Sequence, residues 1–201
     1  MINFEIDQNE IYKIEKKLGK LSSKAPVVIK NAVNETAKKA REQLAKKAQE
    51  KYEIKKSKFN KSMKIKNATV SNNAAIISAT GEVLEIIDYK ASPSRYSKSQ
   101  RRNSVKGKVY KNGSLKLLQK GDLKSFIVRF KNGHVSVVQR VEKGKEPSKS
   151  KLGNRYIKKL LSPSIPKILG NENEVFGIVQ PQIQKELKNN LSKHVEKALR
   201  G

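Results

Sequence analysis

The side chains able to do chemistry are few and poorly grouped. There are two histidines, His134 and His194. Neither has a second histidine or a carboxylate beside it at metal-ligand spacing along the chain. His134 follows Asn132-Gly133 at a predicted hairpin tip. His194 falls on the polar side of a predicted C-terminal helix. Each reads as an exposed histidine. Glu82, Glu85 and Asp88 form a small acidic cluster after Gly81. Such a cluster could hold a divalent cation, as in a nuclease, but a solvated or salt-bridged edge is the plainer explanation. The chain has no cysteine, which excludes disulfides, thiolate zinc sites and cysteine nucleophiles. It has no glycine-rich phosphate loop, nucleophile elbow or Walker-type lysine. The residues therefore point to a protein without enzymatic activity, metal or cofactor.

Charge is the stronger signal. The 201 residues carry 45 Lys+Arg against 18 Asp+Glu, a net +27. That surplus points to a polyanionic or strongly acidic partner. It is concentrated between Asp88 and Asp122, where no acid occurs and there are ten basic residues. Arg95, Lys98, Arg101, Arg102, Lys106, Lys108 and Lys111 are the candidate contacts to DNA or to an acidic partner surface. Phosphate neutralisation by such residues gives sequence-independent, salt-dependent affinity. Specific readout has little support, because no RNA-recognition, zinc-finger or helix-turn-helix pattern accompanies them. The longest apolar runs are a few residues, too short to span a bilayer. Met1–Asp7 has neither the basic nor the apolar region of a secretory signal. The expectation is a soluble, cytoplasmically made chain with no membrane partner.

The elements that must position these charges follow from periodicity. Ile11, Ile14, Leu18 and Leu21 form the stripe of a short helix, with Asp7 as N-cap and Glu10 three residues on. Gly19 and Ser22-Ser23 end it. A long helix follows from about residue 23 to 54, with Pro26 in its first turn. Its stripe is Ile29, Val33, Ala37, Ala40, Leu44 and Ala48. An alanine-rich face permits close approach and suits a sheet or a neighbouring subunit, which makes Val33, Ala37, Ala40 and Leu44 candidate packing residues. From 62 to 141 the period becomes that of strands. Asn-Gly at 112–113 and 132–133, and Asn72-Asn73, signal hairpins. The expected apolar sheet face holds Ile65, Ile76, Phe126, Val128 and Val137 or Val138, with the long helix lying across it. Residues 91–104 read as a polar loop and Glu142–Asn154 as a second basic linker. The last helix carries Ile183, Leu187, Leu191, Val195 and Leu199, with Pro181 near its start or kinking it. Leu187 and Leu191 are further candidates for subunit or partner packing. The fold class is α+β in one domain: an N-terminal helical pair, a central antiparallel sheet built of hairpins, and a C-terminal helix.

In this order the elements resemble the phage minor tail protein Z family. Ala25-Pro26 followed by Lys30-Asn31-Ala32-Val33-Asn34-Glu35-Thr36-Ala37 is similar to the start of the family's long helix. Met63–Ala68 looks like its first strand. Gly81–Leu84 with Ile87-Asp88-Tyr89 looks like its central element. Phe126–Val128 with Asn132-Gly133-His134, Val138 and Arg140 looks like its hairpin. Ile157–Leu160 and Pro163–Pro166 look like its proline-punctuated stretch. The resemblance spans about residues 20–200. Tyr156 stands where the family often has proline, and the loop at 91–104 is longer than its usual counterpart.

The resemblance implies a non-catalytic virion protein of the tail or neck. Such a protein finishes the head-proximal end of a tail and helps join it to the capsid connector. It implies a homo-hexameric ring around the DNA passage. The partners it implies are other copies of the chain, tail terminator and tail tube proteins, head–tail connector proteins and, without sequence specificity, genomic DNA. Two other readings fit the composition: a basic nucleic-acid-binding protein of the ribosomal type, and a nuclease using Glu82, Glu85 and Asp88.

Overall fold

In the computed structural model the described residues are 2–4, 6–54, 56–99, 104–141, 151–152 and 155–200. In chain order the strands and α-helices are β1 (Ile2–Phe4), α1 (Gln8–Leu18), α2 (Ala25–Lys51), α3 (Lys56–Ser62), β2 (Met63–Lys66), β3 (Ala75–Ala79), β4 (Leu84–Glu85), β5 (Lys90–Ser92), β6 (Lys106–Lys108), β7 (Lys116–Leu117), β8 (Gln119–Lys120), β9 (Leu123–Arg129), β10 (Val135–Arg140), β11 (Lys151–Leu152), β12 (Arg155–Lys159), β13 (Leu161–Ser162), α4 (Ile165–Leu169) and α5 (Phe176–Leu199). This is the expected α+β class, and every strand pair is antiparallel. The chain divides into two compact units. One comprises residues 1–48, 56–81 and 165–201; the other comprises 49–55 and 82–164.

In the first unit, local signals set the helix ends. Asp7 caps α1: its Oδ1 accepts a hydrogen bond from the Glu10 N–H at 2.7 Å, satisfying one of the donors that a helix start leaves free. Gly19, at φ 54°, ends the helix. Ile14 and Leu18 are buried on its stripe. Pro26 sits in the first turn of α2. The buried face of α2 is Ala25, Val28, Ile29, Ala32, Val33, Thr36, Ala37, Ala40, Leu44, Ala45 and Ala48, a repeat of threes and fours with small residues in most turns. β1, β3 and β2 form a three-stranded sheet in that order. In α5, Ile183, Leu191 and Val195 are buried, whereas Leu199 is 51% exposed. Pro181 lies inside α5 near its start, as expected.

A polar seam joins α2 to α5. The Asn190 amide donates to Thr36 Oγ1 at 2.9 Å, and that hydroxyl donates to the Ala32 carbonyl at 2.8 Å. Glu35 accepts from Lys193 and from His194 Nε2, each at 2.9 Å, and lies 3.5 Å from Lys39. Lys39 in turn pairs with Glu186. Asn34 completes the set from the same turn of α2. Its amide donates to the Ala68 carbonyl at 3.0 Å, and its carbonyl accepts from the Ala68 N–H at 2.7 Å. The hydrogen bonds from Lys193 and His194, with the charges of Lys193 and Lys39 behind them, hold Glu35 at about 2.

The second unit holds a five-stranded sheet ordered β11-β12-β10-β9-β8, a three-stranded sheet β5-β6-β7 and the pair β13-β4. The strands from 62 to 141 therefore do not form one sheet. Ile65 and Ile76 belong to the first unit, and Phe126, Val128, Val137 and Val138 to the second. Ile65 and Ile76 are half-buried, and Ile77 takes the core position on β3. Val137 and Val138 are both fully buried because β10 has an apolar cluster on each face. Val137 and Ile127 pack with Ile86, Ala91 and Val105, whereas Val138 and Val128 pack with Ile157. Adjacent strand residues point to opposite faces, so a doubly covered strand buries both.

The hairpin signals are realised in different ways. Asn132-Gly133 closes β9 onto β10, with Gly133 at φ 82° and its N–H donating to the Phe130 carbonyl at 2.9 Å. Asn112-Gly113 lies inside the longer connection from β6 to β7, in a turn closed by Gly113 N–H to the Tyr110 carbonyl. Asn72-Asn73 likewise falls within a wider loop between β2 and β3.

Two outcomes follow for stability. Leu44→Ala empties a fully buried site and should cost about 2–5 kcal/mol in urea unfolding, whereas Leu199→Ala should leave the midpoint nearly unchanged. Glu35 has a depressed native pKa, so its contribution is complete above the unfolded value of 4.5 and is lost as pH falls towards about 2. Between those limits the stability of Glu35→Gln should fall less steeply with acid than that of the parent chain, as followed by circular dichroism.

Candidate functional site

The cationic stretch lies in the second unit. β5 and β6 place Lys90 opposite Lys108, Ala91 opposite Gly107 and Ser92 opposite Lys106. β7 continues the sheet, with Lys106 opposite Leu117. Like charges facing each other across a strand pair are destabilising. Glu53 offsets this one. Its Oε1 is 2.8 Å from Lys108 Nζ and 4.0 Å from Lys90 Nζ. Backbone pairing holds Glu53 there: its N–H donates to the Val109 carbonyl, and the Lys111 N–H donates to the Lys51 carbonyl, both at 2.8 Å. The Tyr52 and Tyr110 rings meet alongside, with centroids 5.0 Å apart. The hydrogen bond from Lys108, stronger than the opposing effect of burial, lowers the Glu53 pKa.

This arrangement sorts the predicted contacts. Lys108 is spent internally: it pairs with Glu53, donates to the Lys111 carbonyl at 2.8 Å and is only 14% exposed. Arg95, Lys98, Lys106 and Lys111 are exposed, as are Lys116 and Lys120. Arg101 and Arg102 lie outside the described residues. The loop after β5 is anchored by Tyr96, which packs against the Ile86, Val105, Ile127 and Val137 cluster beneath the Arg129 guanidinium. Gly107 permits the close packing under β6. A Cβ there would lie 2.9 Å from Leu118 Cδ1 and 3.0 Å from Ile86 Cγ1.

The candidate packing residues divide as well. Val33, Ala37, Ala40 and Leu44 are buried in the first unit's own core. On α5, Leu187 is half-buried. Leu191 is buried and lines a groove of about 480 Å³ with Ile14 and Val195, rimmed by Lys13, Lys16, Lys17 and Lys188.

The acidic cluster is taken up in pairing with neighbouring groups. Glu85 Oε1 is 2.7 Å from Lys159 Nζ and 3.0 Å from His134 Nε2. Asp88 accepts from the Glu85 N–H at 3.0 Å, closing the short 3₁₀ turn that follows. Glu82 is exposed. Burial raises the Glu85 pKa, but hydrogen bonds from Lys159, Ser136 and His134 outweigh it and leave the group lowered. Among the described residues no group of three or more histidines and carboxylates is placed to hold a metal. Both histidines therefore have carboxylate partners brought from far along the chain, and His194 is half-buried rather than exposed. Glu53 was not distinguishable in the sequence, because nothing near it marks it as the partner of two lysines on other strands.

A model of the prophage minor tail protein Z (GPZ) family matches residues 13–201, nearly the whole chain. The chain belongs to that family. No curated protein and no solved structure matches it. Membership makes the chain a structural component of a phage tail. The residues that carry the likeness also have defined tasks in the fold. Asn34, Glu35 and Thr36 bind Ala68, the α5 cations and Asn190 respectively. No helix among the described residues is long and apolar enough to cross a membrane.

Gly107→Ala should lower the stability of the protein by about 1–3 kcal/mol, because Leu118 and Ile86 must move to admit the new methyl. Thermal unfolding followed at the tyrosine absorbance reads this directly.

Proposed function

We propose that this chain is a tail-completion protein. It finishes the head-proximal end of the tail, helps join it to the capsid connector and stands as a ring, six-fold by its setting, around the DNA passage. It works as passive architecture, without catalysis. The partners in this reading are other copies of the chain, the tail terminator and tube proteins, the connector and, weakly, the genome.

One observation carries the reading beyond family membership. After internal pairing has taken Lys108, the segment between Asp88 and Asp122 still presents Arg95, Lys98, Lys106, Lys111 and Lys116 to solvent, with no acid among them. That surface can meet phosphates or an acidic neighbouring ring without any base-reading element. Each phosphate neutralised would steepen the salt dependence of affinity by about 0.9 in the logarithmic slope.

The test is charge reversal at exposed positions only. Arg95→Glu, Lys98→Glu, Lys106→Glu and Lys111→Glu together should reduce head–tail joining and infectious titre at least tenfold, while the purified protein keeps its circular dichroism spectrum. Ring-sized particles by light scattering and negative stain should persist. Undiminished titre would remove the cationic surface from the function. A monomer that binds RNA tightly would favour the ribosomal-type reading instead.

A further inference from the structure

The segment from β5 to β7 carries more than charge. The strand register sets Leu117 opposite Lys106, and Lys106 and Lys108 opposite Ser92 and Lys90. Residues directly opposite each other in an antiparallel pair lie on one face, and neighbours along a strand alternate between faces. Leu117 therefore shares a face with Lys90, Ser92, Lys106 and Lys108. The reverse face holds Ala91 and Gly107 and packs inward. Ala91 joins the cluster of Ile86, Val105, Ile127 and Val137, and Gly107 lies against Leu118 and Ile86. The Leu117 face is thus the outward one, and Leu117 is 42% exposed on it. Leu115, two residues earlier, is 38% exposed. Tyr110, in the turn of the same hairpin, is 46% exposed, with its ring set against buried Tyr52. Elsewhere among the described residues the large apolar side chains that reach solvent stand singly along the chain, as on any protein surface. Here three fall between residues 110 and 117.

Cations surround them. Lys106, Lys111 and Lys116 are exposed, and the Lys90 side chain is 52% exposed. Glu53, the carboxylate on this side, is held by Lys108 and Lys90. An apolar and aromatic centre within a charged rim is the make-up of a protein–protein interface. A DNA duplex would offer such a face phosphates and sugars. These would meet the lysines but give Leu115 and Leu117 no apolar surface to bury, and burial is what an exposed leucine contributes to binding.

We propose that this outward face docks a partner protein whose own surface is an apolar patch ringed by carboxylates. Leu115, Leu117 and Tyr110 form the centre of the contact, and Lys106, Lys111 and Lys116 its rim. The proposal rests on the tail-completion reading and narrows it: of phosphates and an acidic neighbouring protein, it selects the protein. A second copy of this chain, at net +27, brings cations in excess where carboxylates are needed.

The probe is tails assembled without this chain, to which the purified full chain is added and its binding measured by co-sedimentation. Leu115→Ser with Leu117→Ser should weaken binding at least tenfold, and Lys106→Glu with Lys111→Glu should weaken it as much. The leucine pair should leave the circular dichroism spectrum and binding to a short duplex DNA unchanged, because both side chains are exposed and neither meets phosphate. If the leucine pair leaves tail binding intact while charge reversal abolishes it, the proposal fails and the tail-completion reading stands. If the parent chain does not bind tails, both fail. Three further results would overturn the proposal alone: equal weakening by the leucine pair on duplex DNA, loss of ring-sized particles in that variant, which would assign the face to a second copy, or flotation of the parent chain with phosphatidylglycerol vesicles that the variant loses.

Discussion

The structure depends on a scarcity of negative charge. With 45 cationic side chains and 18 carboxylates, cations outnumber acids by 27, and the compact state works against its own repulsion. The fold responds by making single carboxylates serve several cations. Glu35 takes Lys39, Lys193 and His194; Glu53 takes Lys108 and Lys90; Glu85 takes Lys159 and His134. Each of these acids is at most 28% exposed, so the pairing is screened less than a surface ion pair would be. All three acids have pKa values below the ordinary carboxylate range, which is the same fact seen from the proton's side. These pairings also join segments distant in sequence: α2 to α5, the end of α2 to β5 and β6, and β4 to β10 and β12.

What could be read from the sequence was local. Asp7 is a cap because its side chain reaches the N–H three residues on. The α2 stripe is legible because burial on one helix repeats every three or four residues. Asn132-Gly133 reads as a hairpin because Gly133 adopts a positive φ that other residues resist. What could not be read was long-range. The strands from β2 to β10 look like one series of hairpins, yet β3 also pairs with β1, and β10 also pairs with β12. No periodicity announces such choices, because any strand with one apolar face satisfies the local pattern. Leu44 looked equally suited to a neighbouring subunit or to the chain's own core, since an apolar stripe does not name what covers it.

The candidate site shows the same division. The run of ten cations was visible by counting, but its sorting was not. Lys106 and Lys108 are two residues apart on one strand, so by alternation they would share a face, yet one is exposed and the other is held by Glu53. The difference lies in the position of Glu53, fixed by main-chain pairing with Val109 and by the Tyr52–Tyr110 contact.

This sorting separates the charges that fold the protein from those that face solvent. The folding charges sit at half-buried carboxylates, where neighbouring protein replaces solvent and salt reaches them poorly. The outward charges stand in water, where at physiological ionic strength interactions fade beyond about 8 Å. Salt should therefore loosen what the exposed stretch binds well before it loosens the fold, which suits a component delivered to an assembly intact.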